Sequence, residues 1–590
     1  MNITRDMAAL FEQGAAAFTA GHYAQAVEIL NAVLARAPGF APGHNLLGLA
    51  LAGLGCIPEA LSRYEAALRI DPSFAAPYIN RATLWRDLGD PRAALADLDK
   101  AVALDPDDPT GHANRGSLLT EMGQPAAAIA SLDRARALAP DYPYVAGLRL
   151  INKAYVCDWN GIEEDLAELT AKIQGGAPAA QPWALLALID SPALQRVAAQ
   201  AWQAVKAPEN RSLGPVAKYP RHERIRLGYY CADFHRHPTG HLIAGLFERH
   251  HRGAFEVIAF SLRPVRDDDM HRRIVAGVDR FIDVAGRSDK EIAALSRELE
   301  IDIAIDLNGL IANNRVGVFA HRAAPAQVSY LAYPGTMGAP YMDYLIADDT
   351  VISDPAFYTE RVIALPDCYQ VNDAERPVSD RRFTRAELGL PAAGVVFCCF
   401  NNNFKITPRM FDIWMRILRA VDGSVLWLIE DSAAAAANLR REAARRGIAE
   451  GRLVFAPRMP QEEHLARQAL ADLFLDTLPY NAHTTGSDAL WVGLPVITHA
   501  GKSFAARVGA SLLKAMDLPE LIAPTLADYE ALAIGLAKDP VRLAEIRRKV
   551  MLHRTASRLF DLDRFTVNIE AAYTHIVKQG ASRNPVGTAQ

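Results

Sequence analysis

Small and hydrophobic residues recur over the first 140 positions with a fixed period of 34. Pro38, Pro72, Pro106 and Pro140 mark one phase, Gly21, Gly55, Gly89 and Gly123 a second, and Ala26, Ala60, Ala94 and Ala128 a third. Gly14, Gly48, Ala82 and Gly116 hold a fourth. Each column has its own physical role. Small residues let two antiparallel helices approach, the glycine turns the chain, and the proline stops the second helix. From Ile225 the period changes to short apolar runs separated by helical stretches such as Asp289 to Leu299. The runs Arg226–Tyr230, Phe255–Phe260, Ile303–Asp306, Val328–Leu331 and Tyr344–Ile346 predict one series of strands. Val395–Phe400, Val425–Ile429, Leu453–Phe455, Leu473–Leu475 and Pro495–Ile497 predict a second.

The 34-residue period is that of tetratricopeptide repeats, which bury their core only between neighbours and expose a groove suited to extended peptide. A structural spacer is the alternative use of such a stack. Strands alternating with helices predict parallel, doubly wound sheets, here two Rossmann-like lobes facing each other across a cleft. The expected architecture is therefore an N-terminal helical solenoid followed by two α/β lobes. Its expected segments are four repeats over 7–140, a helical cap and linker over 141–222, a first lobe over 223–390, a second over 391–578, and a disordered tail over 579–590. The cap is read from the helical composition of Tyr142 to Ala204. The linker is read from Pro208, Pro215 and Pro220 among polar residues.

Length narrows this picture little, since 590 residues exceed one core and ask for about three domains. A net charge of −5 argues against general nucleic-acid binding. Met1 to Ala20 holds Arg5, Asp6 and Glu12 without an apolar run, unlike a secretory signal, and no segment reaches the roughly 18 apolar residues of a membrane span. The six cysteines lack CxxC spacing, which fits a reducing compartment and no zinc site. A cytoplasmic protein is expected.

Candidate chemistry gathers where predicted strands end. The run Leu473–Leu475 closes on Asp476, and the polar turn His483-Thr484-Thr485-Gly486 stands where the next helix begins. Free backbone N–H groups, the positive end of a helix dipole and two hydroxyls suit a diphosphate there. An ordinary capping turn is the plain alternative. From the helix that follows, Asp488 could hold ribose hydroxyls. A second cluster, Asp233-Phe-His-Arg-His237-Pro-Thr-Gly-His241, follows a strand and offers imidazoles as base or donor. Metal binding by His235, His237 and His241 competes with that reading, with Asp233 alone at ligand spacing. A third, Phe400-Asn-Asn-Asn-Phe-Lys405, places a lysine where it could neutralise a departing phosphate, or simply face solvent. In the fourth, Pro460 to Arg467, His464 and Arg467 lie on adjacent turns, able to meet a nucleobase or to remain an exposed face. Two other motifs fail. Gly501-Lys502-Ser503 resembles the end of a phosphate-binding loop, but the glycine required five residues earlier is Val496. Asp267-Asp268-Asp269 lies in a charged stretch and reads as a solvated face. No Gly-x-Gly-x-x-Gly follows a strand, which weakens a dinucleotide oxidoreductase.

Taken together, these stretches resemble the O-linked N-acetylglucosamine transferases and their SPINDLY relatives, inverting two-lobed (GT-B) glycosyltransferases with tetratricopeptide arms. The resemblance covers nearly the whole chain: the repeats, Val156-Cys-Asp-Trp159, His237-Pro-Thr-Gly-His241, Tyr333-Pro-Gly-Thr336, Phe400-Asn to Lys405, and His483-Thr-Thr-Gly486 with Asp488. It implies that Lys405 stabilises the leaving diphosphate, held also by His483, Thr484, Thr485 and Gly486. His464 would stack on the base with Arg467 nearby, Asp488 would bind ribose, and Asn402 would lie at the nucleotide sugar. His237 would lie close to sugar and acceptor. The resemblance implies no metal and no cofactor beyond the nucleotide-sugar donor.

Departures from the family pattern bear on the sugar. The transferase branch usually shows lysine where Gln461 stands and Gln-Leu-Tyr at Asn402-Asn403-Phe404. Asn401-Asn402, Ile406-Thr-Pro408 and Leu478-Pro-Tyr480 look more like the SPINDLY branch. His464, His483, Gly486 and Asp488 follow the transferase branch, and the base-stacking histidine favours UDP over GDP. The resulting expectation is transfer of N-acetylglucosamine from its UDP donor to Ser or Thr of a protein held by the repeats. Transfer of another activated sugar (fucose from GDP, or a flagellin-modifying sugar) and a non-catalytic scaffold are the rivals.

Overall fold

A computed structural model describes residues 5–217 and 219–582 of the chain. Its contacts divide the chain into two compact units, Met1–Lys153 and Ala154–Gln590.

In the first unit four helix pairs follow the 34-residue period, from Arg5–Thr19 with Tyr23–Arg36 to Pro109–Glu121 with Pro125–Leu138. The columns do what their chemistry suggests. Gly21, Gly55, Gly89 and Gly123 all turn with φ between +69° and +82°, a region that L side chains rarely adopt. Close approach falls to the Gly48 column: a Cβ on Gly48 would lie 2.5 Å from the Tyr64 ring, and one on Gly116 2.5 Å from Leu132. Pro38, Pro72, Pro106 and Pro140 each stand two residues past the end of a helix.

In the second unit the sheet of the first lobe has seven parallel strands: β1 (Ile225–Cys231), β2 (Phe255–Ser261), β3 (Arg280–Asp283), β4 (Ile303–Asp306), β5 (Ala326–Ser329), β6 (Tyr344–Asp348) and β7 (Arg361–Leu365), in the order β3-β2-β1-β4-β5-β6-β7. The second lobe has six: β8 (Val396–Cys399), β9 (Val425–Ile429), β10 (Leu453–Ala456), β11 (Leu473–Leu475), β12 (Val496–His499) and β13 (Ile522–Ala523), in the order β10-β9-β8-β11-β12-β13. Strand order reverses between β1 and β4 and again between β8 and β11. Ligands of such sheets bind at these switch points, outside the carboxyl ends of the strands. The strands that the apolar pattern misses are β3, β7 and β13, each at a sheet edge. Their burial is partial: β3 is charged at both ends and β13 is two residues long, while β7 carries an apolar run, Val362–Leu365, that the pattern passes over.

Two segment expectations change. Residues 154–206, expected to cap the solenoid, pack instead with the α/β unit. Leu186, Ala199 and Ala207 share a core with Tyr230, Phe260 and Val318 of the first lobe. The C-terminal helix Leu562–Ser582, expected in the second lobe, returns to the first. The Tyr229 hydroxyl donates to the Tyr573 hydroxyl at 3.0 Å, and His250 Nδ1 meets Glu570 at 2.9 Å. Part of the expected disordered tail, 579–582, belongs to that helix, and 583–590 lie outside the described residues. No helix among the described residues is long and apolar enough to cross a membrane.

Tyr64 is 1% exposed and has no room to yield to a larger neighbour. Gly48→Val is therefore expected to destabilise the solenoid by about 1–3 kcal/mol, seen as a lower urea midpoint.

Candidate active site

The switch point of the second lobe collects three of the four sequence clusters. Beyond β8 the chain runs through Phe400, Asn401 and Asn402 into a single turn, Asn403–Lys405, before the helix Pro408–Ala420. Beyond β11 it passes Asp476 and the loop to His483, then enters the helix Thr484–Trp491. Thr484 and Thr485 are the first residues of that helix, so their N–H groups have no acceptor within it. His483 makes no side-chain capping bond to them. The helix start thus offers donors and a positive dipole end to an anion.

Lys405 arrives at the same place. It is 9% exposed, and its Nζ donates to the Asn481 carbonyl at 2.9 Å, two residues before His483. The ammonium also stands 3.7 Å from the centroid of the Tyr480 ring. Burial pushes Lys405 down to about 8 from its ordinary 10.5, opposed by the negative charge of Asp476. Asp476, pushed up to about 6 by its own burial, accepts from Thr477 N, Ala482 N and Thr498 Oγ1. Those bonds hold the loop rather than the lysine. His483 Nε2 lies 3.2 Å from the Ala505 carbonyl and therefore donates to it. Burial, and then the Lys405 charge, keep this imidazole neutral.

Asn401 joins the two loops. Its Nδ2 donates to Thr477 Oγ1 at 2.7 Å, and its Oδ1 accepts from Thr485 Oγ1. Asn402, the expected sugar ligand, is exposed, and its Oδ1 accepts from Arg458. The contact between the loops thus belongs to Asn401 and not to Asn402. Burial alternates along the three: Asn401 and Asn403 point inward and Asn402 outward.

His464 and Arg467 form a separate patch beside Phe400. The His464 ring meets Phe400 edge-on at 5.0 Å. Arg467 is 0% exposed, donates to the Pro457 carbonyl at 2.6 Å, and lies over Phe400 and Trp427. Its Nε and a terminal N–H also donate to His464 Nδ1, at 3.0 and 2.8 Å. A ring nitrogen accepting from a guanidinium carries no proton, so neutral His464 bears its proton on Nε2. Burial and the Arg467 charge drive this imidazole down to about 3. Arg467 therefore fixes the tautomer of His464 from beneath.

Asp488 lies in a cavity of about 270 Å³ between the lobes, whose walls include His241, Arg273, Arg376, Gln461 and Asp488. Both carboxylate oxygens are engaged: Oδ1 accepts from Arg376 at 2.6 Å and Oδ2 from Gln461 at 2.8 Å. The second Arg376 terminal nitrogen donates to Asn372 at 2.6 Å. Burial raises the Asp488 carboxyl, and the Arg376 charge opposes that rise. Arg376 carries no signal in the sequence, since it sits in the irregular crossing between lobes with no periodic pattern around it.

In the first lobe His237 caps the helix Pro238–Arg249. Its Nδ1 accepts from Thr239 N at 3.3 Å and lies 3.9 Å from Asp233. Burial lowers its affinity for a proton, with Asp233 opposing. The neutral ring in this pose carries its proton on Nε2, which makes it a donor at that atom. His241, one turn further, lines the cavity with Asp488. Among the described residues no three His, Cys, Asp or Glu side chains gather as a metal-ligand set. The phosphate-loop look-alike is self-occupied: Asp190 accepts from the N–H groups of Lys502 and Ser503 at 2.8–3.0 Å.

Arg376 and Asp488 expose only 6% and 7% of their side chains. Arg376→Ala leaves a buried carboxylate unpaired and is expected to cost about 3–5 kcal/mol, read by thermal denaturation. Arg376→Ala with Asp488→Asn should recover part of the loss.

The pattern of glycosyl transferase family 41 matches residues 213–383 and 375–569, more than half of the chain. Tetratricopeptide patterns match residues 11–73 and 86–150. The chain is similar to the probable UDP-N-acetylglucosamine–peptide N-acetylglucosaminyltransferase SEC of Arabidopsis thaliana, 36% identical over 367 residues that cover 61% of this chain and 38% of that protein. It is also similar to the Caenorhabditis elegans UDP-N-acetylglucosamine–peptide N-acetylglucosaminyltransferase, 27% identical over 484 residues, 62% of this chain and 42% of that one. A probable SPINDLY transferase of Arabidopsis thaliana is 31% identical over 367 residues, 60% of this chain and 40% of its own. The chain thus spans about two-fifths of the length of these curated relatives. Among solved structures, a mutant O-GlcNAc transferase of Thermobaculum terrenum matches with a TM-score of 0.67 and 29% identity, over 92% of this chain and 98% of that one. With its repeats, its two parallel sheets and this family pattern across both lobes, the chain belongs to glycosyl transferase family 41.

Proposed function

We propose that this protein is an inverting O-glycosyltransferase that moves N-acetylglucosamine from UDP-N-acetylglucosamine to Ser or Thr hydroxyls of a protein. One observation carries the reading: a buried ammonium, Lys405, and the uncapped start of the helix Thr484–Trp491 meet at the same switch point, joined through Asn481 and Asn401. Such a pair offsets negative charge as a nucleoside diphosphate leaves its sugar. That arrangement asks for no metal, because lysine and helix end take the charge.

The other groups complement it. Neutral His464 presents a ring and an Nε2–H to the base, held by Arg467. Asp488, held by Arg376 and Gln461, is the ribose acceptor. His237 faces the sugar and acceptor side as a donor at Nε2. The tetratricopeptide groove receives the acceptor chain, and the protein works in the cytoplasm. The UDP donor is supported by the names of the relatives and by His464, while Gln461 and Leu478-Pro-Tyr480 keep a GDP-sugar in contention.

Calorimetric titration with UDP, GDP and CMP separates the readings. Binding of UDP alone supports the proposal, GDP alone a different sugar, and no binding a scaffold. Lys405→Ala is expected to keep the fold and lower turnover by about 10²- to 10³-fold; undiminished turnover refutes the assigned role. The ammonium must be charged to act, and its folded-state midpoint lies near 8. Activity is therefore expected to hold below pH 8 and to fall as pH rises through it.

A further inference from the structure

Lys405 is an unusual cation: buried, close to no carboxylate that is free to pair with it, and yet required to be charged. The groups that face it can be taken element by element. Asp476, just past the end of β11, is already engaged, accepting from Thr477 N, Ala482 N and Thr498 Oγ1. Cys399, at the end of β8, is a buried thiol whose proton affinity is pushed up by that burial. His483 is kept neutral by burial and by the lysine itself. The Asn481 carbonyl takes one N–H of the ammonium. What remains is the face of Tyr480, 3.7 Å from Nζ.

That ring is itself fixed. It lies 4.9 Å from the His483 ring and 6.2 Å from Phe404. Phe404, next to Lys405 in sequence, packs edge-on against Tyr155 at 5.0 Å. The Tyr480 carbonyl accepts from Thr477 Oγ1 at 2.6 Å, and Thr477 in turn accepts from Asn401. The π-face is thus anchored by the same hydrogen-bonded loops that present the helix start.

We propose that Tyr480 is a positioning residue, whose ring holds the Lys405 ammonium in line with the helix start and keeps it charged for the departing diphosphate. An aromatic face attracts an ammonium and has no comparable attraction for a neutral amine, and the attraction grows when the pair is desolvated. Removing the ring makes deprotonation easier, and the lysine stops neutralising phosphate at a lower pH. The phenolic hydroxyl is not required, because the quadrupole belongs to the ring. The inference rests on Lys405 acting on the leaving group.

The test follows the lysine itself, in the full chain labelled with ¹³C at lysine Cε and with the Lys405 signal assigned by its loss in Lys405→Arg. The wild-type midpoint is expected near 8, Tyr480→Phe should keep it, and Tyr480→Leu should lower it by about one pH unit. UDP, titrated in parallel, should bind Tyr480→Leu several-fold more weakly at pH 8 and recover at pH 6.5. Fluorinated phenylalanines at position 480 preserve size while draining the ring quadrupole. The midpoint should fall with each added fluorine, and this series decides the matter if Tyr480→Leu does not fold. A midpoint unchanged in Tyr480→Leu or across the fluorinated series overturns the inference. Failure of the wild-type protein to bind UDP overturns the proposed function instead, and leaves the lysine titration to be judged by itself.

Discussion

A charged group withdrawn from water must find compensation, and in this protein that requirement organises the second lobe. Lys405 reaches the switch point between β8 and β11 through one tight turn, and two loops are shaped around it. Asp476 ties one loop down through backbone N–H groups, and Asn401 stitches it to the other. What the lysine obtains is one carbonyl and one aromatic face, short of a full ion pair. A complete pair would satisfy the ammonium at rest and leave little for an incoming diphosphate. Partial compensation keeps it available, and the donors at the start of the helix Thr484–Trp491 are left open beside it.

Asp488, the group proposed for ribose, follows the opposite rule. It is saturated by Arg376 and Gln461, so its orientation is set before any ligand arrives. His464 is treated similarly, its tautomer dictated by a guanidinium beneath it. In the proposed reading, preset geometry at Asp488 and His464 would hold the nucleoside, and incomplete compensation at Lys405 would leave its charge for the diphosphate.

Much of this was legible in the sequence, for physical reasons that also explain the gaps. Repeats announce themselves because each column meets one steric demand, as Gly48 against Tyr64 shows. Central strands are legible because both faces are buried, whereas β3, β7 and β13 lie at edges and are only partly buried. That Lys405 and His483 to Asp488 lie beyond strand ends was legible because each follows an apolar run that forms a central strand. Arg376 was not, since its partner Asp488 lies 112 residues away and its own segment has no periodicity. Among Asn401, Asn402 and Asn403 composition is uninformative, and only the backbone decides which one faces inward. Arg467, expected near the base, is buried beneath Phe400 and donates to His464 Nδ1. The return of the C-terminal helix to the first lobe is not legible, because helical periodicity says nothing about which surface a helix will cover.

That return makes the first lobe discontinuous in sequence. The helix Pro238–Arg249, which carries His241, is covered by Leu562–Ser582, the last described element. One wall of the cavity that holds Asp488 is therefore complete only after the chain has passed through the whole second lobe and come back.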